Sequence, residues 1–251
     1  MKLKKIHSSK SLLKFSLIIT LVLLAQCAYP LTMAVGIENG SVFTAITHGM
    51  WSTYALKSDG TVWGWGSKSF VHNYPNYVPE KVPNLSNVIA TATTYYTRVG
   101  YALKSDGTVW AWGSNQNGLL GIDSIPYDYF GGSSDVPVQV SNLTGVIAIA
   151  AGNKTGYALK SDGTVWAWGY NNFGKLGNDS ITIDHYSCVP VQVSNLTNVT
   201  SIASGSSTAY AVKNDGTAWA WGNNGGGALA RDSNVLFSNT PLKVPYLVSQ
   251  L

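Results

Sequence analysis

Tyr157-Ala-Leu-Lys-Ser-Asp-Gly-Thr-Val-Trp-Ala-Trp-Gly169 decides the architecture of this 251-residue chain. The same run stands at Tyr101–Gly113, with one change at Tyr54–Gly66 and more loosely at Tyr210–Gly222. Self-similarity at a nearly fixed period marks a repeat architecture in which each unit buries its apolar surface against its neighbour. Each copy predicts two strands around Asp-Gly, the pair that a two-residue type I′ turn favours, because both central positions need positive φ. That turn sets Leu159 opposite Trp166 and Tyr157 opposite Trp168. Tyr157, Leu159, Trp166 and Trp168 then share one face, with Ala158, Val165 and Ala167 on the other. The expectation is a bulky face tiling onto a small one, since a lone hairpin cannot bury such aromatics in water.

Working outward, each hairpin is preceded by an apolar, small-residue strand: Val42–Thr47, Val88–Ala92, Val146–Gly152 and Val199–Gly205. Each is followed by a loop and a proline-marked strand: Val78–Val82, Val136–Val140, Val189–Val193 and Pro241–Val244. Proline at the start of a strand fits an outer edge. Four antiparallel strands at this period predict an all-β fold of propeller-type blades, approximately 42–83, 88–140, 146–193 and 199–247, within a domain spanning 35–251. The blades form an open arc, a small ring or an assembled propeller.

Residues 1–34 read as a signal peptide. Five lysines and no acids precede Val35, around an apolar run from Phe15 to Ala25 that is short for a bilayer span. Thr32-Met33-Ala34 places cleavage after Ala34. Leu24-Ala25-Gln26-Cys27 resembles a bacterial lipobox, with Gln26 where a small residue is the rule; Cys27 is the alternative, lipid-anchored terminus. The expected location is secreted or cell-surface, in a bacterium, with no other membrane contact. Of sixteen basic residues five lie in the leader, leaving eleven against twelve acids, so the basic isoelectric point belongs to the N-terminus. There is no basic stripe for nucleic acid. Cys188 is the sole cysteine after the leader, which excludes an intramolecular disulfide there.

The repeats resemble the regulator of chromosome condensation family. The resemblance rests on Val146–Gly152, Tyr157–Gly169, Asn171-Asn-Phe-Gly-Lys-Leu-Gly177 and Pro190–Val193, with Asn115-Gln-Asn-Gly-Leu-Leu-Gly121 in the second repeat. The first repeat departs, since Ser67-Lys-Ser-Phe70 lacks the glycine turn, and the fourth has Gly227-Ala-Leu-Ala230. Family propellers usually have seven blades, so four imply an incomplete turn. The resemblance implies a binding or regulatory module: exported bacterial members include inhibitors of β-lactamases, and eukaryotic members include a nuclear exchange factor for a small GTPase.

Chemistry-bearing motifs are sparse. His48, His72 and His185 lack metal-ligand spacing, and neither a nucleophile elbow nor a phosphate-binding loop occurs. Asp59, Asp106, Asp162 and Asp215 read as turn residues, with Lys57, Lys104, Lys160 and Lys213 as a solvated edge beside them. Eight of the nine tryptophans fall in the repeated positions and read as core; Trp51 does not. The sequence calls for no catalytic group, cofactor or metal. The expected function is protein binding, with a proteinaceous enzyme inhibitor as an alternative and a propeller hydrolase or lyase as a further one. The candidate surface is the blade end that collects the turn after the first strand and the loop after the third: Trp51, Tyr74, Tyr77, Tyr95, Tyr96, Arg98, Tyr127, Tyr129 and Tyr186. Self-association is expected from the uncapped end blades.

Overall fold

The computed structural model describes residues 40–67, 76–125 and 132–245. Among the described residues, sixteen strands fall into four antiparallel sheets of four. Blade one is β1 (Phe43–His48), β2 (Ser52–Lys57), β3 (Val62–Gly66) and β4 (Asn76–Lys81). Blade two is β5 (Val88–Thr93), β6 (Gly100–Lys104), β7 (Val109–Ser114) and β8 (Ser133–Gln139). Blade three is β9 (Val146–Gly152), β10 (Thr155–Lys160), β11 (Val165–Tyr170) and β12 (Tyr186–Gln192). Blade four is β13 (Val199–Ser204), β14 (Thr208–Lys213), β15 (Ala218–Asn223) and β16 (Phe237–Lys243). In each sheet the strands pair in chain order, so every blade is an uninterrupted meander. The fold is the all-β, propeller-type arrangement that the repeats predict.

The hairpin differs from the expected two-residue turn. Gly163 N donates to Lys160 O at 2.9 Å, and Lys160 N donates to Thr164 O at 2.9 Å. Ser161-Asp162-Gly163 is therefore a three-residue loop, with Gly163 at φ +78° closing it as a bulge. The register moves by one residue: Tyr157 faces Ala167, Ala158 faces Trp166, and Leu159 faces Val165. A one-residue slip exchanges the faces of one strand. Each face thus carries half of the bulky residues: Tyr157, Leu159, Val165 and Ala167 look towards the next blade, and Ala158, Trp166 and Trp168 towards the previous one. The outer strands also start earlier than expected. Pro137, Pro190 and Pro241 lie inside them, near irregularities in the pairing with the third strand, where proline loses no ladder bond.

The turn explains the repeated Lys-x-Asp-Gly-Thr-x-Trp positions without recourse to function. Asp162 Oδ1 accepts from Thr164 N at 3.0 Å and from Thr164 Oγ1 at 2.6 Å. Thr164 Oγ1 accepts in turn from Trp166 Nε1 at 3.1 Å. Lys160 lies over the Trp166 ring and 3.7 Å from Asp162. Blades one, two and four repeat the Asp–Thr–Trp chain. Lys57 departs from the solvated edge expected of these lysines. It is buried, with Nζ 4.5 Å from the Trp63 ring centre and 5.3 Å from that of Phe43.

Residues Glu38–Leu251 form one unit, and its core lies between blades. Tyr54, Leu56 and Val62 of blade one pack on Ala102 and Trp112 of blade two. Tyr101 and Leu103 meet Ala158 and Trp168; Tyr157 and Leu159 meet Ala209, Ala211 and Trp221. At each junction the tyrosine meets the tryptophan edge to face, with ring centres 5.1, 5.5 and 6.3 Å apart. Trp112 and Trp168 lie flat against Gly100 and Gly156, where a Cβ would overlap the indole; the widest pair, Tyr157 with Trp221, has Ala209 at that position. A fully buried tryptophan contributes roughly 4–6 kcal/mol of transfer free energy, so these junctions carry much of the fold. The inner strands stack β1 on β5, β5 on β9 and β9 on β13. Among the described residues no comparable contact returns from blade four to blade one.

Candidate interaction surface

Strand direction places the β1–β2, β5–β6, β9–β10 and β13–β14 turns at the same blade end as the loops that follow the third strands. The Asp-Gly turns and inter-blade links lie at the other end.

At the first end, blades one and two bring together Met50, Trp51, Tyr95, Tyr96 and Arg98. Met50 N donates to Tyr95 O at 2.7 Å, which stitches the two turns together. Gly49 allows this approach, since a Cβ there would overlap the Thr94 carbonyl. Gly66, at φ +88°, lies under the Trp51 carbonyl, and Gly113, at φ +104°, under that of Arg98. The terminal glycine of each hairpin thus seats the turn that carries the aromatic residues. The Arg98 guanidinium lies 5.6 Å from the Trp51 ring centre, and Tyr95 and Tyr96 meet edge to face at 4.7 Å. Arg98 itself sits at φ +55°, held there by the buried Thr94–Thr97 hydroxyl pair and the Val99 N bond to Thr94 Oγ1. Met50, Trp51, Tyr95 and Tyr96 are each about half exposed. An arginine stacked among exposed aromatics is well composed for protein contact.

The other candidates do not all join this cluster. Tyr77 is the second residue of β4, on the outer rim of blade one, and is 86% exposed. Tyr186 opens β12 opposite Tyr170, whose ring carries Lys154 at 5.7 Å. Tyr74, Tyr127 and Tyr129 lie outside the described residues.

Sequence reasoning missed Phe173 and Lys175. Phe173 is exposed and takes φ +57° in the turn Asn172–Gly174, where blades two and four have Asn117 and Gly226. A bulky residue at a left-handed position was the available signal. It lines a cleft of about 570 Å³ with Gly225, Gly226, Arg231 and Leu236. Lys175 is 1% exposed, and its ammonium nitrogen donates to Asn153 O. Burial, with the Lys154 charge adding to it, pushes its pKa down to about 7. The signal for Lys175 was its position between the buried glycine and leucine of the Asn-x-x-Gly-x-Leu-Gly turn.

That turn is a polar staple. Asn171 Oδ1 accepts from Leu176 N at 2.9 Å, and its amide donates to the carbonyl of Ile181. Asn115 and Asn224 do the same. Blade four therefore keeps the turn despite its altered sequence, with Ala230 at φ +52° where Gly121 and Gly177 stand. Among the described residues no three His, Cys, Asp or Glu side chains converge as a metal site.

Residues 106–159 and 162–212 match the regulator of chromosome condensation (RCC1) repeat, and 146–175 and 199–228 match a second model of the same repeat. The matched segment, from 106 to 228, carries RCC1 repeats. Each of the longer matches begins in the Asp-Gly turn and ends in or after the second strand of the next blade, so it spans one blade-to-blade junction. Curated relatives include the mitochondrial RCC1 domain-containing protein RUG3 of Arabidopsis thaliana, 30% identical over 49% of this chain and 27% of its own length. The human E3 ubiquitin-protein ligase HERC2 is 35% identical over 39% of this chain and 2% of its length. The Arabidopsis thaliana ultraviolet-B receptor UVR8 is 30% identical over 37% and 22%. The chain therefore matches about a quarter or less of these relatives. Among solved structures, a chain in the complex of Kap60 with yeast RCC1 (Prp20) superposes with a TM-score of 0.73 at 21% identity, over 86% of this chain and 51% of that one. Human WBSCR16 superposes at 0.68 and 24% identity, over 82% and 54%. Both likenesses are of fold.

Proposed function

We propose that this chain is an exported protein-binding module whose contact surface is the loop end of blades one and two. The observation that carries the reading is the Trp51–Arg98 stack beside Tyr95 and Tyr96. These large side chains are held half exposed by backbone bonds and by glycines that admit no Cβ. Rigid aromatic and arginine anchors bind with little loss of side-chain freedom, which is how such residues come to dominate interfaces. The opposite end presents the short links and the Asp-Gly turns, whose polar groups are spent on the turns themselves. Export rests on the five lysines and apolar run before Val35.

The test is capture of partners from the secreted and envelope fractions of the source cell, identified by mass spectrometry. A partner retained by the wild type and by Thr197→Ala, at the opposite end, but lost by Trp51→Ser and Tyr96→Ser supports the reading. Each true anchor should cost about 2 kcal/mol or more of binding, with thermal unfolding unchanged. Equal retention by all four proteins places the surface elsewhere.

A further inference from the structure

We infer that the free face of blade four is a docking site for blade one of a second copy of this chain, joined as the blades are joined within one copy. The three internal junctions define what such an interface needs. The leading face offers the tyrosine and leucine of the second strand, and the following face offers the tryptophan of the third. Leu119 O accepts both Tyr101 Oη, at 2.7 Å, and Trp168 Nε1, at 3.1 Å. Lys175 O likewise accepts Tyr157 Oη, at 2.8 Å, and Trp221 Nε1, at 2.9 Å. Behind this pair, Gly118 and Gly174 abut the backbones of Cys188 and Asn239, each the third residue of the next outer strand.

Blade four keeps the leading half of this interface. Tyr210 Oη donates to Ala228 O at 3.1 Å, and no tryptophan supplies the second bond to that carbonyl. Gly227 stands where Gly118 and Gly174 stand, at φ +78°, with open space at its Cβ position. Val212, in the place of the fully buried Leu103 and Leu159, is 41% exposed.

Blade one keeps the following half. Trp63 and Trp65 sit where Trp110 and Trp112 sit; Trp63 is half buried like Trp110, but Trp65 is only half buried where Trp112 is fully buried. Ile46 pairs with Ala55 as Ile149 pairs with Ala158, and it is 43% exposed, whereas Ile149 packs into a junction. The ladder places Tyr77 where Cys188 and Asn239 touch the preceding glycine, and Tyr77 is the most exposed large hydrophobic side chain among the described residues. The two free faces are the complementary halves of a junction made three times in cis, so the occupant that fits both is another copy.

The contact is heterologous: two copies that satisfy both faces close an eight-bladed ring, and copies that do not close extend as a chain. Ala230 sets its strength. In cis the equivalent Gly177 admits the indole of Trp221, whose Nε1 would lie 2.8 Å from a Cβ there. The Ala230 methyl holds the second copy's Trp65 off by a few tenths of an ångström, so the junction in trans is looser than those in cis.

Light scattering across a concentration series of the purified protein reads the assembly. A mass that rises to two copies or more supports the inference, and a monomer at every concentration overturns it. Val212→Asp and Ile46→Asp each charge one free face at a position already in contact with solvent. Each should weaken association at least about tenfold, with an unchanged far-UV spectrum. An equimolar mixture of the two retains one intact pair of faces and should recover a heterodimer. Association that survives either change, or a mixture that stays monomeric, overturns the inference. Ala230→Gly should tighten association severalfold; no change or a weakening would count against this docking mode.

Discussion

Tyr101 and Trp168, from successive blades, donate to one carbonyl oxygen, that of Leu119, at 2.7 and 3.1 Å. One acceptor therefore ties the second strand of one blade to the third strand of the next. Burial pushes the Tyr101 phenol far above its ordinary range, so it stays a donor at all ordinary pH. Tyr54 fills the same place in blade one, yet among the described residues its buried hydroxyl finds no partner, nor does Ser52 Oγ beside it. Removing a satisfied buried hydroxyl costs about 1 kcal/mol, whereas removing an unsatisfied one relieves a desolvation penalty. Tyr101→Phe should thus destabilise by about 1 kcal/mol, and Tyr54→Phe should be neutral or stabilising. Urea unfolding of the two variants decides it; equal losses would contradict the account.

Gly113 links the fold to the candidate surface. It sits at φ +104° directly beneath the Arg98 carbonyl. Gly113→Ala imposes both backbone strain and a collision, so a loss of about 2–4 kcal/mol is expected. If the protein still folds, the Arg98 turn must lift and the Trp51–Arg98 stack must open. The fluorescence difference between each protein and its Trp51→Phe counterpart isolates the Trp51 signal and would report it. An unchanged melting temperature would show that the glycine is incidental.

Much of this fold could be read from the chain, because the repeat supplies four copies of each signal. Strand order, blade count and the end at which Trp51, Tyr95, Tyr96 and Arg98 gather all follow from an alternating pattern and a meander. The face assignment did not follow. Asp-Gly fits both a two-residue loop and a three-residue loop with glycine as the bulge, and the choice moves Trp166 and Trp168 to the face opposite Tyr157. The Asp162–Thr164–Trp166 chain favours the longer loop, and it becomes visible only when the Thr two residues beyond the Asp is read as part of the turn. Which aromatics touch was also hidden. The Trp51–Arg98 stack depends on a left-handed Arg98 that its neighbours Thr94 and Thr97 impose, and no periodicity encodes that.

The turn aspartates give the protein an acid-sensitive component. Hydrogen bonds from Thr108 Oγ1 and Thr108 N, with a smaller contribution from the Lys104 charge, hold Asp106 below the usual carboxylate range, and Asp59, Asp162 and Asp215 are held likewise. A folded pKa below the unfolded one adds stability that is complete above the unfolded value and is lost as pH falls through the folded one. Stability should therefore decline below about pH 4. Asp106→Asn keeps an acceptor for Thr108 but removes the ionisation, so its acid limb should be shallower than that of the wild type. Matching slopes between about pH 5 and pH 2 would refute the assignment.

Lys175 works in the opposite direction along the pH axis. Burial, with the nearby Lys154 charge, depresses its folded pKa to about 7, against about 10.4 in an unfolded chain. Below pH 7 both states hold the proton, and the folded state bears the full cost of a buried ammonium. Between about 7 and 10.4 the unfolded chain holds a proton that the folded chain has released, so stability rises with pH, by at most about 1.4 kcal/mol per unit. The neutral amine keeps its bond to Asn153 O, which leaves the junction with blade four intact. Lys175→Met retains much of the aliphatic stem and removes the titration. It should be the more stable protein at about pH 6, with the difference shrinking steadily towards about pH 9.5. Measurements stop there because the buried Tyr101 and Tyr157, whose pKa values are raised, take stability away above the ordinary tyrosine range. Denaturant midpoints for the two proteins that run parallel from pH 6 to 9.5 would show that the Lys175 amine stays charged in the fold.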